Sequence, residues 1–167
     1  MTKVLAAQLT GYGGIDQFAL NEQDLPDPGP GQVRVRVAGA AINPVDIKLR
    51  KGYLQDWIPL DPPAVIGNDV SGVVDAVGDG VDALKVGDRV AGLCDPALFG
   101  AYAAATNVWA ATLVKVPEAP DLVDAAALPT GVLTGSQLVE RSADDEQDVP
   151  RIDGTIARFA RALEIHH

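Results

Sequence analysis

Short apolar runs separated by glycine and proline turns fill the first 116 residues. The most informative run is 33–37, in which valine alternates with arginine. An alternation with a period of two places the valines on one face of a strand and the arginines on the other. The preceding stretch, 26–31, contains three prolines and two glycines, which do not continue a sheet. Several such runs favour a barrel or sandwich of short strands.

The other predicted elements follow the same pattern of apolar runs and turns. Further strands are expected at 4–9, 18–25, 65–77, 81–90 and 102–116. Short helices are expected at 44–51, 122–128 and 133–140, with Asn43 and Asp121 as N-caps of the first two. A last, amphipathic helix is expected near the C-terminus, because Ile156, Phe159 and Leu163 form one apolar stripe. The predicted class is therefore mainly β with a few short helices.

Composition excludes several classes of function. A net charge of −10 and 5% aromatic residues argue against a nucleic-acid partner, which a basic surface would attract. The longest apolar runs are too short for a transmembrane helix, and the N-terminus does not resemble a signal peptide, so a cytoplasmic location without a membrane partner is expected. Cys94 is the single cysteine and is expected to be a buried small residue. No metal site is expected, since His166 and His167 have no evident further ligands.

One glycine motif has the pattern of a nucleotide-binding site. Residues 78–83 fit G-x-G-x-x-A and follow a predicted strand. A dinucleotide fingerprint must open a helix, whose N-terminus binds the pyrophosphate. Residues 84–90 predict a turn and a strand instead, so the motif is interpreted as a turn.

Two polar groups stand out against the apolar runs. Asn43, Asp46 and Lys48 lie on the first short helix, and Tyr53 follows it. Lys48 can supply a cation for an oxyanion and Tyr53 can donate a proton, but on generic grounds solvated polar residues and a helix cap are the favoured interpretation. Asn68 and Asp69 interrupt an apolar strand. A carboxylate buried there needs hydrogen-bond partners, and either a backbone-bonded Asp69 in a bulge or a functional Asp69 fits the pattern.

Several longer segments together carry a family resemblance. They are LTGYGG, DPGPGQVRVRVAGAAINPVDIKLRKG, PAVIGNDVSGVVDAVGDGV, LKVGDRVAG, FGAYAAATNVWAATLVKVPEAPDLVDAAALP and VLTGSQLVE. In this order they resemble the GroES-like catalytic domain of the medium-chain dehydrogenases/reductases, in the branch of zinc-free quinone oxidoreductases and enone reductases. The resemblance implies a GroES-like, partly open β-barrel over residues 1–140. An acidic linker at 141–151 and a C-terminal helix at 152–167 complete the expected organisation.

The resemblance also implies roles for individual residues. Zinc-binding relatives have a cysteine and a Gly-His-Glu where this chain has Asn43 and Asn68, which implies a metal-free site. Asn43 is expected to face the nicotinamide or the substrate, and Asn68 to bind substrate. Lys48 matches a lysine that contacts the substrate carbonyl, and Tyr53 matches an active-site tyrosine. Thr134 matches a threonine that contacts the nicotinamide.

The resemblance further implies a cofactor domain after residue 140, where this chain instead continues with RSADDEQDVPRIDGTIARFARALEIHH. The expectation is therefore a chain that binds no cofactor, unless a separate domain supplies the NADPH site. The leading hypothesis is non-redox chemistry, such as cyclisation, Michael-type addition or isomerisation, on an enone or quinone-like small molecule in secondary metabolism. Lys48, Asn43 and Tyr53 would stabilise an enolate, and Asp69 or Asp46 would act as the base.

Two alternatives remain open at this point. In the first, the chain is a truncated NADPH-dependent quinone or enone oxidoreductase, or one chain of a two-chain enzyme of this kind. In the second, it is a non-catalytic binding and assembly module. For the last, a homodimer is expected, because it would cover apolar surface.

Overall fold

Two antiparallel sheets form the scaffold in the computed structural model, which describes residues 1–95 and 99–143. The strands are β1 (Thr2–Leu9), β2 (Phe18–Leu25), β3 (Gln32–Ala40), β4 (Ala64–Val65), β5 (Asp69–Val77), β6 (Arg89–Leu93), β7 (Ala105–Trp109) and β8 (Leu113–Lys115). The helices are α1 (Pro44–Arg50), α2 (Leu122–Ala125) and α3 (Leu128–Ala143). The predicted class, mainly β with short helices, is confirmed.

The smaller sheet has the strand order β2-β1-β4 and the larger one β7-β3-β5-β6-β8. Within the described residues both sheets are open, so the expected partly open barrel takes the form of two separate sheets. An isolated bridge between Ala6 and Ala103 connects β1 to the segment that precedes β7.

Strand β3 follows the alternation that its sequence predicts. Val33 and Val35 are fully buried, whereas Arg34 is half-buried and Arg36 is exposed. The two valines pack into the main core on one face of the larger sheet. This core is made mostly of β-branched side chains, which suit a half-buried pleated surface: Val33, Val35, Val70, Val74, Val90 and Val108.

Three predicted strands differ from the observed ones. The expected strand at 65–77 is split into β4 and β5, because Gly67 adopts a φ of +95° between them. The expected strand at 81–90 is wrong except at its end: a turn precedes Arg89, and the Asp88 carboxylate accepts a hydrogen bond from Lys85 N at 3.0 Å. The expected strand at 102–116 is divided into β7 and β8 by a 3-10 turn, Ala110–Thr112.

The helices follow the sequence more closely. Helix α1 lies where it is expected, and Asp121 caps α2 by accepting a hydrogen bond from Val123 N at 2.7 Å. Helix α3 begins at Leu128, five residues earlier than predicted, and continues to Ala143. The predicted linker at 141–151 thus begins inside α3. Its remainder and the predicted helix at 152–167 lie outside the described residues.

Candidate functional site

Three segments meet where β5 begins, and the Asp69 carboxylate joins them. Asp69 is fully buried. Its Oδ2 accepts hydrogen bonds from Asn43 Nδ2, next to α1, and from Thr130 N, in the first turn of α3, both at 3.2 Å. Its Oδ1 accepts a hydrogen bond from Thr130 Oγ1 at 2.5 Å. These contacts, here called the Asp69 junction, fix the starts of both helices against the larger sheet.

Asp46 lies one helical turn from this junction and has a different environment. It is 2% exposed, and its Oδ2 accepts a hydrogen bond from Asn43 N at 2.7 Å, as in a capping box. Its Oδ1 has no hydrogen-bond partner among the described residues. Burial raises the pKa of Asp46 above its ordinary value, and the nearby charge of Asp69 adds to this effect.

Tyr102 stands beside Asp46. Burial is the largest cause of its raised pKa, and the nearby Asp46 carboxylate raises this pKa further. The Tyr102 hydroxyl donates to the carbonyl of Ala41 at 3.4 Å, and its ring packs edge-on against Phe18 with centroids 6.4 Å apart. Gly67 permits this position, because a Cβ atom there would lie 2.5 Å from the Tyr102 ring.

A cavity of about 500 Å³ opens between α1 and the strands beside it. This volume is in the range of small-molecule sites. Most of its lining is apolar, and three described lining residues are polar: Asp46, Arg50 and Tyr102. The full lining is Ala7, Ile15, Phe18, Ala40, Ile42, Asp46, Ile47, Arg50, Ile66 and Tyr102.

The structure brings some of the predicted site residues together and separates others. Asn43 contacts both Asp46 and Asp69, so these three form one connected group. Among the described residues, the cavity lining includes neither Lys48 nor Tyr53. Lys48 is exposed on α1, and Tyr53 is 72% exposed.

Asn68 and Thr134 lie apart from this connected group. Asn68 is half-buried, and its Oδ1 is without a hydrogen-bond partner in the described parts of the chain. Its carbonyl accepts a hydrogen bond from Cys94 N at 2.7 Å. Thr134 is exposed on α3.

Sequence reasoning missed Thr130, Tyr102 and the role of Arg50 in the cavity. Helical spacing predicts that Arg50 shares a face of α1 with Asp46, and both line the cavity. Thr130 and Tyr102 come from segments distant in sequence from α1. The sequence pointed only indirectly to Thr130. A carboxylate in the apolar strand at Asp69 needs hydrogen-bond donors, but the sequence does not say which residues supply them.

The described residues offer neither a reactive thiol nor a metal site. Cys94 is buried, as predicted, and burial raises the pKa of its thiol to about 12, which disfavours the nucleophilic thiolate. Residues 1–95 and 99–143 contain no group of three His, Cys, Asp or Glu side chains that could hold a metal ion. In the same ranges, no helix has the length and apolar character needed to cross a membrane.

Comparison with known families decides the relationship. Residues 29–118, more than half of the chain, match the alcohol dehydrogenase GroES-like domain. The chain belongs to this family. The GroES-like match covers β3 to β8 together with α1, and so includes both Asp46 and Asp69.

Relatives place this GroES-like chain near the quinone and enone oxidoreductases. It is 33% identical over 144 residues to the chloroplastic quinone-oxidoreductase homolog of Spinacia oleracea, covering 86% of this chain and 44% of that protein. It is 38% identical over 139 residues to the chloroplastic NADPH-dependent alkenal/one oxidoreductase of Arabidopsis thaliana, covering 78% and 36%. The quinone oxidoreductase structure from Coxiella burnetii aligns with a TM-score of 0.81 at 27% identity, covering 88% and 47%. The chain thus spans less than half the length of these relatives.

The described residues do not fit a complete NADPH site. A dinucleotide pyrophosphate is bound by a glycine loop between a parallel strand and a helix. Every strand pairing in residues 1–95 and 99–143 is antiparallel. The glycine motif at 78–83 instead packs against the chain before and at the start of β3. Gly78 N donates to Gln32 O at 2.8 Å, and a Cβ atom at Gly78 would lie 2.0 Å from Gly29 O.

Proposed function

We propose that the described residues form the substrate-binding domain of an enzyme that acts on enone or quinone-like small molecules. The similarity to quinone and alkenal/one oxidoreductases supports this substrate class. The observation that carries the proposal is Asp46, which lines an apolar cavity and has one carboxyl oxygen without a partner in the described residues. Burial raises the pKa of this carboxyl group, so the cavity wall carries an acid–base group suited to proton transfer.

The cavity suits a substrate with an apolar body and a carbonyl group. Phe18, Ile15 and Ile66 offer apolar walls for a ring or chain. Burial raises the pKa of Asp46, so its protonated form persists to a higher pH than that of an exposed carboxyl group, and this form can donate to a carbonyl oxygen. Donation to this oxygen stabilises the negative charge that develops when the conjugated carbonyl accepts an electron pair.

Reduction is the first form of this function. NADPH would supply a hydride, and a second domain or chain would have to bind its pyrophosphate, because the described residues hold no such site. Asn43 and Thr134 remain the predicted nicotinamide contacts, and Lys48 and Tyr53 the predicted contacts to the substrate carbonyl. None of these four lines the cavity, so they would act from its outside.

Isomerisation is the second candidate, and the buried Asp46 favours it. As a carboxylate, Asp46 could remove a proton from the α-carbon of a β,γ-unsaturated ketone and return a proton to its γ-carbon. The product is the conjugated enone, and no oxidant or reductant is consumed. A raised pKa suits this exchange, because it makes the Asp46 carboxylate a stronger base than an exposed one. Cyclisation and Michael-type addition, in secondary metabolism or elsewhere, would use the same proton transfer.

The cavity can be tested as the substrate site by blocking it. Ala40→Phe places a ring in the cavity, and Ala111→Phe makes the same change at an exposed position in the 3-10 turn. Calorimetric titration with menadione and with 4-phenyl-3-buten-2-one should show binding to the native protein. We expect Ala40→Phe to weaken it by about tenfold or more, and Ala111→Phe to leave it unchanged. Equal affinities in both variants would reject the cavity as the site.

The two candidate reactions can be separated in one further assay. The protein is incubated with NADPH and an enone, and separately with a β,γ-unsaturated ketone without NADPH. Consumption of NADPH supports reduction by this chain. Formation of conjugated enone without NADPH supports isomerisation, provided that Asp46→Asn abolishes it and the exposed Asp82→Asn does not.

A further inference from the structure

Arg50 gives the cavity a positive charge that its other contacts do not neutralise. Its Nη1 donates to the carbonyl of Gly13 at 2.5 Å, and Gly13 N donates back to Arg50 O at 2.8 Å. Among the described residues, Arg50 takes part in no salt bridge. A guanidinium carries five N–H donors, so most of them remain for a ligand.

Asp46, the acidic residue in the same lining, is poorly placed to act as the counter-ion. Its Oδ2 is already engaged by Asn43 N, and no salt bridge joins it to Arg50 among the described residues. The other lining residues are apolar except for Tyr102, whose raised pKa keeps its hydroxyl neutral. A half-buried cation thus borders a largely apolar cavity, and no described carboxylate forms a salt bridge with it.

We propose that the cavity binds a small apolar carboxylate, with the Arg50 guanidinium as the partner of its anionic group. A guanidinium is matched to a carboxylate because two parallel N–H donors meet its two oxygens. The apolar part of the ligand would contact Phe18 and Ile66. This inference rests on the proposed function of the cavity and narrows its substrates to conjugated carbonyl compounds that also carry a carboxylate.

The test compares one carboxylate with its neutral counterpart. trans-Cinnamate and trans-cinnamamide have almost the same shape and differ in charge. We expect calorimetry to show that the native protein binds cinnamate about tenfold more tightly than cinnamamide, as a charge-assisted hydrogen bond implies. Arg50→Gln should remove this preference by weakening cinnamate binding alone. Arg36→Gln, on the exposed face of β3, should leave both affinities unchanged.

The ratio of the two affinities separates recognition from a structural role. If Arg50 merely holds the Gly13 segment, Arg50→Gln should weaken both probes equally, and the inference is overturned. Arg50→Lys retains the charge and should retain part of the preference, so it serves if Arg50→Gln does not fold. Equal binding of both probes by the native protein also overturns the inference but leaves the cavity as a substrate site. If menadione and 4-phenyl-3-buten-2-one also fail to bind, the proposed function itself fails.

Discussion

The Asp69 junction and the cavity beside Asp46 each contain a buried aspartate, but the two side chains differ in their hydrogen-bond partners. Asp69 accepts three hydrogen bonds, from one side chain and from both donors of Thr130. Asp46 accepts one at Oδ2 and leaves Oδ1 without a partner in the described residues. A buried carboxylate with its donors in place holds segments together, whereas a buried carboxyl group with fewer donors in a cavity wall is suited to acid–base chemistry.

The largest effect is expected from Gly67→Ala, which affects the cavity side. The new Cβ would lie 2.5 Å from the Tyr102 ring, and the backbone would remain at a φ of +95°. We expect a loss of about 3–4 kcal/mol in the free energy of unfolding, measured by urea denaturation. Gly80→Ala is the control, because Gly80 has a φ of +75° but no described atom lies within 4 Å of the point that its Cβ would occupy. It should cost about 1 kcal/mol. Equal losses would show that the Tyr102 contact is unimportant.

Asp69→Ala should have the next largest effect, because it removes the acceptor at the junction. Asn43 Nδ2 and both Thr130 donors would lose their partner inside the protein. We expect the free energy of unfolding to fall by about 3 kcal/mol in chemical denaturation. Asp75→Ala on the same strand removes a more exposed pair with Arg34, whose Nε–Oδ1 distance is 2.6 Å, and should cost about 1 kcal/mol or less. The reverse order would contradict the role assigned to Asp69.

The pH dependence of stability should distinguish Asp46 from a carboxylate held by a cation. The pKa of Asp46 is raised in the folded state, so its stabilising contribution is present at low pH and is lost as pH rises through the folded pKa. Asp46→Asn removes this titration. As pH rises from about 3 to 7, the free energy of unfolding of Asp46→Asn should therefore increase relative to that of the native protein, as measured in urea denaturation series.

Asp88→Asn is the matched control of opposite sign. Its hydrogen bond with Lys115, at 2.9 Å, is the largest cause that lowers the pKa of Asp88. The contribution of Asp88 is present at neutral pH and is lost as pH falls through the folded pKa. The free energy of unfolding of Asp88→Asn should therefore fall further below that of the native protein at neutral pH than at low pH. If the stability difference from the native protein changed in the same direction with pH for both variants, the environments assigned to Asp46 and Asp88 would be wrong.

The smallest effects are expected outside both regions, at Lys48 and Tyr53. Lys48 is exposed, and Tyr53 contacts Lys51, with Nζ 5.7 Å from the ring centroid. Lys48→Ala and Tyr53→Ala should each change the free energy of unfolding by less than about 0.5–1 kcal/mol in thermal or urea denaturation. A loss of turnover in either variant would then report contact with substrate and not loss of fold. A larger loss of stability would mean that these side chains contribute to packing.

Much of the scaffold could be predicted because its signals are local. The alternation at 33–37 determined the buried face of β3, and Asp121 marked the start of α2. The boundaries that failed depended on single residues. Gly67 ends β4 because its φ is positive, and the Asp88 side chain closes the turn in the predicted strand at 81–90. Neither feature changes the hydrophobic pattern, so periodicity could not detect it.

By itself, the sequence determined the β class, the family motifs, and the placement of Asp46 and Arg50 on one face of α1, since a helix repeats every 3.6 residues. Only the tertiary structure decided that Thr130 donates to Asp69, that Tyr102 stands beside Asp46, and that Lys48 lies outside the cavity. Asp69 and Thr130 are 61 residues apart. Contacts over such separations follow from how the sheets and helices pack, and that packing is set by the whole core rather than by any one segment.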